Sequence, residues 1–397
     1  MKRLISIIIL INIILMMTIP VLAEETPLKE APLNKEDIIL NQIEKINLNQ
    51  LQKEVDKINK NMEGYMPHLN IKELILGFMK GDLDVSWAQI GGALLKYLGK
   101  EVTANFKILG QIIILAVMAA ILNVFHNSFT SETISKTASM LIFMVLAILS
   151  LNGFKIAVEI GITTIDTMVS FMQALIPVLL TLLVSIGAMT SAAVFHPITF
   201  MVISFLSSLI RTIIFPMIFI SAILNIVNNI TSEFKISRLS GLFKEFSMGM
   251  LGLSLILFTG IMVIQGGAAA VTDSLSLRTA KYLTGTFIPI IGGIFSDAVD
   301  LIVSCSLIIK NAINLFGMIV IVFMISYPLI KIIALIIIYK IAGAIIQPIS
   351  DGRLVNILDN LGNTLVLIFL AVSGVSLMFF IVLTILVGSA NLTVMMR

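Results

Sequence analysis

Ile213-Ile-Phe-Pro-Met-Ile-Phe-Ile-Ser-Ala-Ile-Leu-Asn-Ile226 is answered 112 positions later by Ile325-Ser-Tyr-Pro-Leu-Ile-Lys-Ile-Ile-Ala-Leu-Ile-Ile-Ile338. Pro216 and Pro328 occupy the same place in the two stretches, and Ile213, Ile218, Ile220, Ala222 and Ile226 recur as Ile325, Ile330, Ile332, Ala334 and Ile338. A second pair, Ile176-Pro177 and Ile288-Pro289, has the same offset. Apolar identities are cheap in a chain that is 58% hydrophobic, but two proline pairs at one offset out of ten prolines are less so. Repeated membrane segments with prolines at matching depths suggest transporters and channels, where helices break beside a cavity. A proline-kinked bundle with no pathway would carry the same pattern.

Around these stretches, from Lys107 to Ser389, apolar runs follow one another almost without interruption. A membrane span needs about 20 apolar residues. On that measure the runs fall near 107–126, 138–158, 167–189, 196–213, 214–231, 247–267, 283–304, 312–327, 328–348 and 364–388. The two long runs, 195–230 and 311–348, are each one kinked helix or two helices meeting near the repeated proline, which gives eight or ten spans. With Glu24 outside, ten spans put Lys136, Lys235, Arg238, Lys244, Lys310 and Arg353 in the cytoplasm, as the positive-inside tendency favours. Eight spans put the three-base loop outside. The expected fold is therefore all-α and polytopic, with repeat units of about 107–213 and 214–327 and a partial unit of 328–390 within a core of 105–390.

Charge marks off what precedes the core. Of the 49 Lys, Arg, Asp and Glu residues, 23 lie between Glu24 and Glu101, so that segment is polar while the rest suits hydrocarbon. Mean hydropathy of +1.06 with 12% charged residues excludes an ordinary soluble domain. Residues 1–23 read as a secretory signal: Lys2-Arg3, the apolar stretch Leu4 to Ile19, and Val21-Leu22-Ala23 before Glu24. An uncleaved anchor is the alternative, and both place Glu24 outside the cytoplasm. Residues 24–104 form a small extracytoplasmic segment in which Leu48, Leu51, Val55, Ile58 and Met62 share one helical face. So small a segment has little core of its own, so its amphipathic helices are expected to dock on a partner protein.

Covalent chemistry has no sequence support. No phosphate-binding glycine loop is present, and His68, His126 and His196 are too scattered for a metal motif. Cys305 stands alone, so neither an internal disulfide nor a cysteine-based metal cluster can form. A net charge of +3, with no basic run interleaved with aromatics, gives no reason to expect nucleic acid. No cofactor is expected, and lipid is the first partner.

Ionisable residues inside spans cost roughly 2.5–3.5 kcal/mol each at mid-membrane on insertion scales, so each needs a reason. Asp297 and Asp300 share a helical face after Pro289 and the pliable Gly292-Gly293, where two carboxylates facing a polar cavity would bind a cation or relay protons. Pairing with Lys310 or Arg211 is the structural alternative. Arg211, five residues before Pro216, is expected to be structural, as are Lys331 and Lys340. The small residues Gly266 to Ala270 suit close helix packing or a loose extracytoplasmic loop. Pro177, Pro216, Pro289 and Pro328, with Gly292, Gly293, Asp297, Asp300 and Arg211, are the candidate pathway or packing residues.

Asn70-Ile-Lys-Glu-Leu-Ile, Lys80-Gly-Asp-Leu, Lys100-Glu101 and Leu109-Gly110 resemble the stage III sporulation protein AE family. So does Lys281-Tyr-Leu-Thr-Gly-Thr-Phe-Ile-Pro-Ile-Ile-Gly-Gly293, continuing through Ser296-Asp-Ala-Val-Asp300 to Leu307-Ile-Ile-Lys-Asn311. The resemblance covers essentially the whole chain and is most specific from 281 to 311. It implies a non-enzymatic subunit of a channel or secretion-like assembly in the mother-cell membrane around the forespore, supporting late forespore gene expression. The implied partners are a secretion-type ATPase, ring-forming proteins and a forespore protein across the intermembrane space. The alternative from the residues alone is an ion-coupled secondary transporter, with Asp297 and Asp300 as its coupling site.

Overall fold

A computed structural model describes residues 48–61, 87–126, 132–230, 236–287, 292–349 and 352–395, together with Asn70, Ile71, Glu73 and Gly77. The signal-peptide reading, Met62, Pro289 and Lys235 lie outside the described residues. All regular structure among the described residues is helical. Two shorter helices, α1 (Asn49–Asn61) and α2 (Trp87–Ala104), precede α3 (Phe106–His126). Then come α4 (Glu132–Ser185), α5 (Met189–Leu209), a π-helical turn (Ile210–Ile214), α6 (Phe215–Ile230), α7 (Ser237–Phe287), α8 (Gly292–Ile346) and α9 (Gly352–Met395).

Among the described residues six stretches are long and apolar enough to cross a membrane: Leu94–Met118, Phe143–Ser185, Met189–Asn229, Ser237–Ser276, Leu301–Ile346 and Gly352–Ser389. The chain is a multi-pass membrane protein. Its described residues are not divided into the expected ten or eight spans, because runs expected to be separate are fused. Runs 138–158 and 167–189 form the single 54-residue α4, and 312–327 and 328–348 lie within the 55-residue α8. The physical reason is that nothing between them ends a helix. Lys155, Glu159 and Asp166 are polar residues at helical spacing, so they mark a face of α4 and leave its backbone unbroken. Pro177 and Pro328 each remove one backbone donor, and both helices continue through them. At Phe215-Pro216 the backbone widens instead: the Phe215 N–H reaches back five residues to the Ile210 carbonyl, and α5, the π-turn and α6 run on as one rod.

Side-chain contacts fix the register. α7 runs antiparallel to the α5–α6 rod, with Asp273 at Thr190, Gln265 at the Val194 carbonyl (2.9 Å) and Ser240 at the Ser221 carbonyl (2.8 Å). α8 and α9 are likewise antiparallel, with Asn314 at Leu383 and Lys340 at Asp359. α9 packs against α8, α7, α4 and α6, and is the most enclosed of the six long stretches. Gly266 against Ile385 and Gly374 against Leu255 set α7 and α9 side by side and parallel. Gly187, at φ 85°, makes the tight turn between α4 and α5 that a Cβ would strain.

Because α8 is one antiparallel partner of α9, Lys310 and Arg353 lie at opposite ends of that pair, so the ten-span reading that placed both in the cytoplasm is corrected. The partner-docking expectation for the first amphipathic helix is also corrected. Leu51, Val55 and Ile58 of α1 are buried, and α1 lies on α4 of its own chain.

Candidate pathway and packing sites

Arg211 projects from the π-turn, and its guanidinium donates to the Asp166 carboxylate of α4 at 3.0 Å. Both side chains are about half exposed, 57% and 46%. Arg211 therefore pairs with an acid that the sequence reading had not singled out. The signal was available: Asp166 shares a helical face with Lys155 and Glu159, which pair at 3.5 Å.

Pro216, exposed at the second position of α6, follows the π-turn directly. Pro177 is exposed within α4, and its carbonyl accepts the Thr181 hydroxyl at 2.9 Å. Pro328 lies inside α8 beside a contact with α2. The Tyr97 and Tyr327 rings meet at a tilt of 57° with centroids 4.4 Å apart, the Tyr97 hydroxyl donates to Glu101 at 2.5 Å, and Lys331 approaches Glu101 at 4.0 Å. Lys331 thus answers an acid of the preceding segment.

Gly292, Gly293, Asp297 and Asp300 lie in the first turns of α8, where the described structure is the helix backbone alone. Lys310, one of their suggested partners, is fully buried between α8 and α9, and its ammonium reaches the Val387 carbonyl at 3.4 Å. One turn on, the buried Asn314 amide donates to the Leu383 carbonyl at 2.8 Å. At the opposite end of the same helix pair Lys340 is held by Asp359 and by Asn363 Oδ1 (2.9 Å), and Asn363 Nδ2 donates to Asp359 at 3.0 Å. The stem of Lys340 lies along Gly362, whose missing side chain leaves room for it.

Asp273 is the buried carboxylate that sequence reading missed. It accepts both the Thr190 and Ser191 backbone N–H groups at 2.8 Å and so caps α5 from another helix. Ala188, at the N-cap itself, has no side chain able to do this, so a capping signal at 188 would have been sought in vain. Within the small-residue run just before it, Gly266 packs closely on Ile385 and Phe195, while Gly267 faces outward. The run belongs to a helix and serves as a packing surface.

The arrangement holds helices together through buried polar contacts and leaves charged pairs on the outside of α4 and between α4 and the π-turn. The sequence profile of the stage III sporulation protein AE family matches residues 69–390. The chain is 42% identical over 326 residues to stage III sporulation protein AE of Bacillus subtilis (strain 168), covering 82% of each protein. No solved structure matches. A six-helix apolar core and a match of this extent lead to one conclusion: the chain belongs to the stage III sporulation protein AE family.

Proposed function

We propose that this chain is a non-enzymatic membrane subunit of a sporulation channel or secretion-like complex that links mother cell and forespore and supports late forespore gene expression. The observation that carries the reading is the family match across residues 69–390. The six long apolar stretches suit a membrane platform or conduit. In this reading residues 1–23 deliver the chain to the mother-cell membrane around the forespore, and the polar segment ahead of the first long apolar stretch, from Glu24 to about residue 93, faces the intermembrane space. The basic residues near the ends of α7 and α9, Arg238, Lys244 and Arg353, meet cytosolic subunits such as a secretion-type ATPase. Ring-forming proteins and a forespore partner complete the assembly.

With six spans and Glu24 outside, the loop before α7 and the loop before α9 both fall on the cytoplasmic side, so this orientation keeps the positive-inside tendency. Deletion of the chain tests the proposal. Loss of forespore maintenance and of assembly of the other subunits is expected. Intact forespores and an intact complex would refute it.

A further inference from the structure

Leu141, Val145 and Ile148 give the first third of α4 an exposed apolar surface, but from Asn152 onward its exposed surface does not suit lipid. At roughly 100° per residue, Asn152, Lys155, Glu159, Thr163, Asp166, Ser170, Gln173, Pro177, Thr181 and Ser185 fall within about a third of the helix circumference. All are polar except Pro177, and all are exposed or partly so. The stripe runs about 50 Å along the axis, longer than the roughly 30 Å hydrocarbon layer. Ile156 and Val184, 41% and 46% exposed, are apolar residues within the same sector, so the stripe is predominantly and not uniformly polar.

The hydroxyls alone would not settle the matter. Ser170, Thr181 and Ser185 each donate to the carbonyl four residues back, at 2.9–3.0 Å, and a hydroxyl satisfied in this way tolerates lipid. Lys155 and Glu159 have no such refuge: they are 62% and 61% exposed. Arg211 adds its guanidinium to the same face through Asp166, with Ser208 and Thr212 exposed beside it. Charges at a hydrocarbon surface are costly and as a rule face a bundle interior or a water-filled cavity.

α7 gives the contrast within the same molecule. Its outward stripe, Gly249, Leu253, Ile256, Gly260, Ile264, Gly267 and Val271, is wholly apolar, with Ile256 71% and Ile264 74% exposed. That face suits acyl chains.

We propose that the polar face of α4 lines a water-filled passage that further copies of this chain complete, with the apolar face of α7 turned towards lipid. This deepens the conduit reading given above and rests on it. Among the described residues no other helix carries an exposed polar stripe of comparable length, so one chain cannot enclose the passage alone. Identical copies around a symmetry axis present the same face to that axis, which makes a second copy the natural occupant of the opposite wall. Lys155 pairs with Glu159 and Arg211 with Asp166, so these four side chains leave no net charge on the lining. Beyond them the stripe consists of hydroxyls, the amides of Asn152 and Gln173, and Pro177. Such a wall admits small hydrated solutes and selects weakly by charge.

The chain offers a clean background for the test, since its one cysteine, Cys305, is buried. In the full-length protein carrying Cys305→Ser, single cysteines replace Ser170, Thr181 or Ser185 on α4, and Ile256 or Ile264 on α7. Native membrane vesicles are treated with a membrane-impermeant cationic methanethiosulfonate, and in parallel with a short bis-maleimide. A thiol reacts as its thiolate, which forms only where water reaches it. The α4 positions are expected to label roughly tenfold or more faster than the α7 positions, because a thiolate is poorly solvated in hydrocarbon. They are also expected to cross-link to a species of twice the chain mass. Equal protection of both helices would overturn the passage, and cross-links only to a protein of another mass would overturn its completion by like copies. Complementation of a deletion strain by the same variants is scored separately. Dry α4 positions in strains that still sporulate would remove the lining and leave the subunit role standing.

Discussion

The carboxylate of Asp273 sits 2.8 Å from the backbone nitrogen of Thr190, 83 positions earlier in the chain, and binds the next N–H of the same helix start equally closely. A helix N-terminus leaves orphan donors and a partial positive charge, and where the start is buried, as at Ser191 and Asp273, no water satisfies either. Asp273 answers both needs from α7 and thereby ties the α4–α5 turn to that helix.

Asp273→Ala is accordingly expected to lower the thermal unfolding midpoint of the detergent-solubilised protein, through a loss of roughly 2–3 kcal/mol for two buried donors left unpaired. Asp273→Asn, which retains one acceptor oxygen, should fall between the two. An alanine variant as stable as the parent would show that the cap contributes nothing.

Tyr339 supplies a second test. Its buried hydroxyl donates to the Ser150 carbonyl at 2.5 Å, and a Cβ at Gly153 would collide with that same oxygen. Gly153→Ala should therefore displace the ring and loosen α4 from α8, whereas in a Tyr339→Phe background the added methyl meets no hydroxyl. A double-mutant cycle on unfolding in detergent is expected to give a coupling of about 1 kcal/mol or more, as for contacting residues generally. Additive effects would contradict the packing described.

The merging of runs into long helices has a topological consequence. With Glu24 outside, the ten-span reading places the segment after residue 189 in the cytoplasm. In the six-helix arrangement the Gly187 turn lies at the end opposite the loop before α7. A cysteine at the exposed Met189 should then react with an impermeant maleimide from the extracytoplasmic side, and one at Arg353 should not. Labelling of Met189 only after the membrane is permeabilised would restore the ten-span order.

Much of this fold was legible in residue pattern, and the shortfall has a specific cause. Hydropathy found nearly every apolar run, because burial in lipid needs only composition. It did not find where helices end, because Pro177 and Pro328 lie inside continuing helices. Glu159 and Asp166 bound a gap between two spans when counted along the chain, with Lys155 at the end of the first. Placed at 3.6 residues per turn they are one side of a single helix. Pairings across distant helices, such as Asp273 with Thr190 or Arg211 with Asp166, leave no local trace in either partner's neighbourhood. Asp297 and Asp300 drew attention in the sequence for their spacing after Gly292-Gly293, while the buried cation of the same helix, Lys310, was read as a loop residue.

Lys310 makes the most pointed case. Its side chain is fully buried, and among the described contacts its ammonium meets only the Val387 carbonyl, at the long distance of 3.4 Å. A buried ion is a net cost unless its partners repay the lost hydration, and exchange for an apolar residue of similar volume is often neutral or stabilising by about 1–4 kcal/mol. Lys310→Met should thus leave the solubilised protein at least as stable as the parent. Lys310→Ala should be less stable than Lys310→Met, since it opens a cavity between α8 and α9. If the methionine variant is stable yet fails to complement a deletion strain, the charge is retained for activity at the expense of stability. Marked destabilisation by methionine would show instead that the ammonium helps to hold α9 against α8.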